Sequence, residues 1–269
     1  MLSYLEAAPD GEPRGTLLCL HGYPESGHMW SVLVQRAAAA GWRALAPDLP
    51  GYGDSAPDPP HTWARMIDAI DRFHAEHVSG PVALCVHDWG GLIGLRWACD
   101  NPDKVRALVI SATGFFPDGK WHGLAQALRT DGQGEQVVDG ATREAFGEML
   151  AAVAPGIDDR SVDEYFKAYA DPVHRRGQLE LYRSGDFSEL EPYRGRLAAL
   201  DVPTLLLFGS EDPFAPVAGA HRFAREIPHA QLEILDGIGH FMFDEVPDRA
   251  AGIVVDFLVG RVDPAFARV

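Results

Sequence analysis

The segment Val86-His87-Asp88-Trp89-Gly90-Gly91 joins two apolar runs, residues 82–85 and 92–98. Runs of these lengths predict a buried strand, a sharp turn and a helix, with Asp88 at the apex of the turn. The two glycines leave the backbone room to turn so tightly. A serine at the apex of such a turn is a nucleophile. A carboxylate there can instead attack an electrophilic carbon and form an alkyl ester, which water must then cleave.

The composition bounds the class of protein. The chain has 269 residues, 46% of them hydrophobic, which is enough for one large α/β domain or for a core domain with an insertion. Its net charge of −16 argues against nucleic acid and anionic membranes as partners. The sequence leaves a homodimer open.

The cysteines and the apolar runs bear on the compartment. Cys19, Cys85 and Cys99 fall in apolar runs, so we expect buried free thiols and not a disulfide framework. Residues 1–6 lack the basic and apolar pattern of a signal peptide. No apolar run approaches the roughly 20 residues of a membrane helix. We therefore expect a cytoplasmic protein that does not bind membranes.

Strand-like runs alternate with helix-length segments along most of the chain. The predicted strands are residues 3–7, 16–20, 43–47, 82–86, 105–110, 204–208 and 232–235. Such alternation predicts a mostly parallel, doubly wound sheet covered on both faces. The alternation stops after Thr113, and residues 114–200 contain helix-like segments at 121–129, 143–153, 162–169 and 177–182. We interpret residues 114–200 as a helical lid inserted into a core domain of residues 1–113 and 201–269.

Three polar residues follow predicted strands, in the order Asp88, Asp212, His240. Ligands of open parallel sheets bind beyond the carboxyl ends of the strands. Serine hydrolases with this architecture use the same order of nucleophile, acid and histidine. We predict that Asp88 attacks carbon, that His240 takes a proton from water, and that Asp212 orients the imidazole.

Cleavage of the ester passes through a tetrahedral oxyanion, which needs preorganised donors. The backbone N–H of Trp89, directly after the nucleophile, is one candidate. The second is the N–H of Tyr23 in the loop His21-Gly22-Tyr23-Pro24, which follows the strand at 16–20. His21 and His87 are expected to have structural roles, with His87 pointing away from the nucleophile.

Three motifs carry a resemblance to a known family. They are His21-Gly22-Tyr23-Pro24-Glu25-Ser26, Asp48-Leu49-Pro50-Gly51-Tyr52-Gly53-Asp54-Ser55 and His87-Asp88-Trp89-Gly90-Gly91. Together they resemble the α/β-hydrolase superfamily, and within it the branch of epoxide hydrolases and haloalkane dehalogenases, over residues 17–113 and 202–258. The resemblance implies an aspartate nucleophile and a small apolar electrophile as substrate. It implies neither a cofactor nor a metal ion.

The two activities of this branch differ in what stabilises the leaving group. In epoxide hydrolases a pair of lid tyrosines protonates the opening oxygen, and Leu181-Tyr182-Arg183 resembles the lid signature that carries one of them. For the first donor the candidates are Tyr165, Tyr169 and His122. In dehalogenases the tryptophan after the nucleophile and an asparagine or second tryptophan hold the halide, so Trp89 and Trp121 could form a halide site.

Tyr23 stands where many dehalogenases have asparagine and epoxide hydrolases have an aromatic residue. This residue and Tyr182 favour an epoxide hydrolase, with a haloalkane dehalogenase as the alternative. A third interpretation is a non-catalytic ligand-binding protein, because a fold does not by itself determine a function. The presence of Asp88, Asp212 and His240 argues against it.

Overall fold

A computed structural model describes residues 1–263. Within them the strands are β1 (Tyr4–Ala7), β2 (Thr16–Leu20), β3 (Arg43–Pro47), β4 (Val82–His87), β5 (Val105–Ser111), β6 (Thr204–Gly209) and β7 (Gln231–Leu235). They form one sheet in the order β1-β3-β2-β4-β5-β6-β7. Strand β1 is antiparallel to β3, and the other neighbours are parallel. The prediction of a mostly parallel sheet is confirmed.

The described helices are α1 (Ser31–Ala39), α2 (Trp63–His77), α3 (Trp89–Asp100), α4 (Gly123–Arg129), α5 (Gln133–Asp139), α6 (Arg143–Val153), α7 (Asp159–Phe166), α8 (Pro172–Arg183), α9 (Arg196–Ala199), α10 (Val217–Glu226), α11 (Met242–Glu245) and α12 (Pro247–Phe257). Strands β4, β5 and β6 are buried along their whole length. Such continuous apolar runs are typical of parallel strands that are covered on both faces.

The direction of strand addition reverses at β2. Strand β3 lies on one side of β2 and β4 on the other, so the loops after β2 and β4 leave neighbouring strand ends. Such a reversal opens a crevice beyond the carboxyl ends of the strands. This topology explains why the loop that contains Tyr23 and the turn that contains Asp88 come together.

Between β5 and β6 the chain forms only helices and connecting turns, α4 to α9. This is the segment interpreted as the lid, whose boundaries stay a prediction, and residues 264–269 of the predicted core lie outside the described part. The predicted helix at 121–129 begins only at Gly123, because His122 is extended and caps it with its side chain. The predicted helix at 177–182 is longer, since Asp171 caps α8 and Pro172 occupies its first position.

Helices α5 and α9 of this segment were not predicted. The predicted helix at 162–169 is instead α7 followed by a 3₁₀ turn over Lys167–Tyr169. In residues 1–263, no helix combines the length and the apolar character that crossing a bilayer requires.

Candidate active site

Asp88 occupies a strained turn between β4 and α3, with φ 47° and ψ −117°. Strain of this kind costs on the order of 1–3 kcal/mol and persists only where the surroundings impose it. Thr113 contributes by donating a hydrogen bond of 2.7 Å from its hydroxyl to the carbonyl oxygen of Asp88. A Cβ on Gly90 would lie 2.2 Å from the carbonyl oxygen of Leu20, so only glycine fits there. The backbone is thus held in the one conformation that presents the carboxylate.

The structure brings Asp88, His240 and Asp212 together. His240 Nδ1 lies 2.7 Å from Asp212 Oδ2, and His240 Nε2 lies 3.7 Å from Asp88 Oδ2. The backbone N–H groups of Phe214 and Ala215 donate to the other Asp212 oxygen, at 2.7 and 2.8 Å. Asp212 must therefore accept the proton on His240 Nδ1, which leaves Nε2 with a free lone pair.

Electrostatics support these roles. Burial lowers the pKa of His240, but the attraction and hydrogen bond of Asp212, together with the charge of Asp88, outweigh it and raise the pKa above 6.5. Burial raises the pKa of Asp212, but His240 and the two backbone donors outweigh it and keep it below 3.8. Asp212 is therefore a carboxylate at neutral pH and stabilises an imidazolium on His240.

The loop after β2 supplies a donor to Asp88. The backbone N–H of Tyr23 donates to Asp88 Oδ1 at 2.8 Å. His21 Nδ1 donates to the carbonyl oxygen of Gly22 at 2.8 Å, and its Nε2 accepts from the N–H of Leu49 at 2.9 Å. Burial lowers the pKa of His21 to about 4, so it stays neutral in this role. The other predicted donor, the backbone N–H of Trp89, belongs to the first residue of α3, where helical N–H groups have no intrahelical partner.

Two cavities meet at Asp88. The larger has a volume of about 310 Å³ and the smaller about 50 Å³. They share four lining residues: Asp88, His122, Tyr182 and Phe214. The larger cavity is lined by aromatic side chains that include Phe116 and those of Trp89, Trp121 and Phe187. The smaller is lined by His240 and Tyr23 beneath the apolar side chains of Leu150 and Val153.

Tyr182 lines both cavities together with Asp88. Its buried ring meets that of Trp89 edge to face, with the ring centroids 4.9 Å apart. Burial and then the charge of Asp88 raise the pKa of Tyr182 well above 10. The hydroxyl is therefore protonated, and its proton is free to bond an atom in the cavity.

His122 is the other polar lid residue that lines both cavities. Its Nδ1 accepts a hydrogen bond of 3.4 Å from the N–H of Ala125 at the start of α4. Burial lowers its pKa, so the imidazole is neutral at pH 7. A neutral imidazole that accepts at Nδ1 carries its proton at Nε2. The helix cap thus prepares His122 as a donor.

The other two candidates for the first donor are engaged elsewhere. The Tyr165 hydroxyl donates to the carboxylate of Asp244, at 2.9 and 3.0 Å from its two oxygens. The Tyr169 hydroxyl lies 2.6 Å from that of Tyr23. Neither tyrosine lines the two cavities as described. Both are therefore wrong candidates, and a sequence could not reveal partners so distant along the chain.

Trp121 lies against Trp89 in the larger cavity. The ring centroids are 5.7 Å apart and the planes are 26° from parallel. The indole nitrogen of Trp121 is buried and has no hydrogen-bond partner among residues 1–263. An unpartnered buried donor in the cavity that Asp88 also lines is available to bind an acceptor there.

Two further groups were not predicted as part of the site. The hydroxyl of Thr113 donates to the carbonyl oxygen of Asp88, and the side chain of Glu25, in the loop after β2, is fully buried. His87 is fully buried, and its ring centroid lies 4.8 Å from that of His240. Its expected structural role stays a prediction. In residues 1–263, no three or more His, Cys, Asp or Glu side chains are placed to hold a metal ion.

Comparison with known proteins identifies the family. Residues 15–247 match the family model described as the alpha/beta hydrolase fold. The chain belongs to the α/β-hydrolase family. Among curated relatives of this hydrolase, a haloalkane dehalogenase of Psychrobacter cryohalolentis is 27% identical over 271 residues, covering 95% of this chain and 86% of the relative. A haloalkane dehalogenase of Mycobacterium marinum is 30% identical over 277 residues, covering 94% and 87%.

A solved structure agrees on the fold. The crystal structure of an epoxide hydrolase from Vigna radiata superposes on this α/β-hydrolase with a TM-score of 0.78 at 21% identity, covering 96% of this chain and 93% of the other. The family match and the dehalogenase relatives support the branch of the α/β-hydrolase family that the motifs suggested, and the epoxide hydrolase structure supports the fold.

Proposed function

We propose that this α/β-hydrolase opens small epoxides to diols through a covalent ester on Asp88. The observation that carries the proposal is the position of one carboxylate where two cavities meet. Its Oδ1 accepts the N–H of Tyr23 at 2.8 Å, and its Oδ2 lies 3.7 Å from His240 Nε2. The side chain of Asp88 is 23% exposed, so it can be reached from the cavity without standing in bulk solvent.

The first step is alkylation. A lone pair of Asp88 attacks an epoxide carbon, the carbon–oxygen bond of the ring breaks, and the oxygen takes the proton of the Tyr182 hydroxyl. The Trp89 side chain lowers the pKa of Tyr182 against the effect of burial, so it favours the resulting tyrosinate. His122 Nε2–H is a second donor to the ring oxygen.

The second step is hydrolysis of the ester. His240 takes a proton from water, and the hydroxide attacks the carboxyl carbon of Asp88. The backbone N–H groups of Tyr23 and Trp89 stabilise the oxyanion. The intermediate collapses, the departing alkoxide takes the proton from His240, and the proton released as Asp88 ionises returns to the tyrosinate of Tyr182. The net reaction is epoxide plus water to diol.

The cavities limit the substrate. An apolar cavity of roughly 150 Å³ is sufficient to bind benzene, so the 310 Å³ cavity can hold an aromatic ring with room to spare. The smaller cavity, about 50 Å³, lies next to His240 and suits the attacking water more than a substituent. We expect terminal epoxides with an aromatic or other apolar tail.

Mass spectrometry of a His240→Gln variant tests the ester. With styrene oxide we expect the intact mass to rise by that of one substrate, with the adduct on Asp88, while the wild type releases diol. Asp88→Asn is the control and should gain no mass. If the wild type turns over and His240→Gln stays unmodified, the mechanism is wrong. If neither gives diol or adduct, epoxide hydrolysis is wrong for this substrate.

Hydrolysis of a carbon–halogen bond is the second candidate. The unpartnered indole N–H of Trp121 favours it, because halides accept hydrogen bonds, and the curated relatives described above are haloalkane dehalogenases. Asp88 would displace the halide, and the same hydrolysis would release an alcohol and a proton.

A pair of variants separates the two candidates. Tyr182→Phe should lose most diol release from styrene oxide but keep most bromide release from a bromoalkane. Trp121→Phe should do the opposite. Equal losses on both substrates in Tyr182→Phe would exclude Tyr182 as the proton donor.

A further inference from the structure

Glu25 and His87 form a fully buried pair behind the catalytic residues. Neither side chain is exposed to solvent. Glu25 Oε2 lies 3.5 Å from His87 Nε2, and it also accepts the backbone N–H of Gly22 at 3.2 Å. The other oxygen of Glu25 and the Nε2 of His87 have no hydrogen-bond partner among the described residues.

The hydrogen bonds around His87 determine where its own proton lies. The hydroxyl of Ser111 donates to the carbonyl oxygen of Val86 at 2.8 Å. Ser111 Oγ can therefore only accept from His87 Nδ1, which lies 3.2 Å away and must carry the proton. In a neutral imidazole Nε2 is then a bare acceptor, and it faces a carboxyl oxygen. Without a proton between them, these two buried acceptors would face each other at 3.5 Å with no hydrogen bond.

We propose that Glu25 is protonated, that it donates to His87 Nε2, and that this neutral pair positions the Gly22–Tyr23 segment for catalysis. Glu25 is thus a positioning residue, and the proposal rests on the proposed ester mechanism. Glu25 holds the N–H of Gly22, and His21 holds its carbonyl oxygen. Because both polar groups of Gly22 are held, the next N–H, that of Tyr23, is aimed at Asp88 Oδ1.

Electrostatics agree with a neutral pair. Burial raises the pKa of Glu25 well above 4.5, and the carboxylates of Asp244, Asp88 and Asp212 raise it further against the bond from Gly22. Tyr165 is the other titratable group that faces Glu25.

On the histidine side, burial lowers the pKa of His87 well below 6.5, and the nearby His240 and His21 add to this effect. Both shifts keep the proton on the carboxyl group.

Neutrality matters for the chemistry. An ionised Glu25 would place a negative charge directly behind the N–H groups that must stabilise the oxyanion. It would also favour the imidazolium form of His240, which cannot accept a proton from water. A protonated carboxyl group supplies the same hydrogen bonds to Gly22 and His87 without that charge.

Substitution of Glu25 tests the proposal. In Glu25→Gln the side chain cannot ionise, and its NH₂ group keeps a donor toward His87 Nε2, so the variant mimics the charge and the donor of the protonated acid. We expect it to keep the rate of ester hydrolysis within about threefold. Glu25→Ala removes both bonds and should slow hydrolysis about 10- to 100-fold, approaching the loss of an oxyanion donor. Styrene oxide adduct should then accumulate in Glu25→Ala without any change at His240.

Each variant has a result that would overturn the proposal. If Glu25→Gln is as impaired as Glu25→Ala, a neutral donor to His87 does not position the loop, and the proposal is wrong. If Glu25→Ala hydrolyses the ester like the wild type, there is no positioning role. Infrared difference spectra at pH 7 give a readout independent of activity. A protonated-carboxyl band should be present in the wild type and lost in Glu25→Gln, and its absence from the wild type would overturn the proposal.

The infrared readout still applies if Glu25→Ala does not fold. If His240→Gln traps no ester, the proposed ester mechanism is wrong. The infrared band then still shows whether Glu25 is protonated.

Discussion

The Nε2 atom of His240 lies 3.7 Å from Oδ2 of Asp88, which is too long for a hydrogen bond. The two side chains are therefore close but not bonded. In the proposed mechanism, Asp88 keeps this oxygen free for attack on carbon, and His240 keeps a lone pair for the water of the second step. Because each step uses a different residue, we expect that each can be blocked separately.

Asp212→Asn should block hydrolysis while leaving alkylation. The N–H groups of Phe214 and Ala215 would hold the amide oxygen, which turns the NH₂ toward His240 Nδ1. The imidazole would then accept at Nδ1 and carry its proton on Nε2, the wrong tautomer for a base. We expect turnover to fall on the order of 10⁴-fold, as in a triad with the equivalent change.

The measurement is single-turnover kinetics with detection of the adduct mass. Adduct should form at nearly the wild-type rate and then persist in Asp212→Asn. An equal slowing of both steps would mean that Asp212 shapes the site as a whole instead of the tautomer of His240.

The two steps should also differ in pH dependence. His240 must be neutral to take a proton from water, and its pKa is raised above 6.5 mainly by Asp212, against the effect of burial. Below that pKa the imidazolium dominates, so the rate of ester hydrolysis should fall about tenfold for each further pH unit. Hydrolysis rates from pH 5 to 9, measured on preformed adduct in stopped-flow mixing, check this. A rate that stays constant between pH 7 and 5 would exclude His240 as the base.

Gly90→Ala should destabilise the protein strongly. The new Cβ would lie 2.2 Å from the carbonyl oxygen of Leu20 and 2.7 Å from that of His21. Backbone atoms cannot move aside like a side chain, so we expect a loss of about 3 kcal/mol or more in the free energy of unfolding.

Gly252→Ala is the matched control for Gly90→Ala. Gly252 lies inside α12 with open space where its Cβ would stand, so alanine should be neutral or stabilising by up to about 1 kcal/mol. Chemical denaturation of both variants measures the difference. A Gly90→Ala protein as stable as the wild type would show that the turn is not closely packed.

Local sequence patterns predict the strands of the sheet well, but they predict the helices of residues 114–200 and their side-chain contacts less well. The strands were predicted within about two residues, because buried parallel strands are short apolar runs that need no distant partner to be recognised. Their order brings the ends of β2 and β4 together, so Tyr23 and Asp88 meet as a consequence of topology. Tyr165 and Tyr169 were wrong candidates for the first donor because each hydroxyl bonds a residue far along the chain. The partner of Tyr165 is Asp244, and that of Tyr169 is Tyr23.

The start of α4 and the role of Glu25 were missed for related reasons. Helix α4 begins after its cap, and a histidine is an uncommon capping residue, so no simple signal identifies His122. Glu25 stands inside a motif that was recognised, but its function depends on His87 and on burial. Neither is visible until the chain is folded.

Asp48→Asn should change the pH dependence of stability. Asp48 accepts the N–H of Gly27 at 2.7 Å and that of Asp54 at 2.9 Å, yet burial outweighs these bonds and raises its pKa from 3.8 to about 6. A group whose pKa is raised on folding stabilises the protein fully below its unfolded pKa. That contribution is lost as the pH rises through the folded value. The two-unit shift corresponds to about 3 kcal/mol over the whole titration, from well below pH 3.8 to well above pH 6.

The asparagine variant lacks this titration but has an NH₂ facing one of the two backbone donors. We expect it to be destabilised by about 1–3 kcal/mol or more at pH 4. Its disadvantage relative to the wild type should shrink as the pH rises to 8, because only the wild type loses stability from this group. Urea denaturation at several pH values measures the difference. A gap between wild type and Asp48→Asn that widens with pH would mean that folding lowers the pKa of Asp48, with the two N–H bonds prevailing over burial.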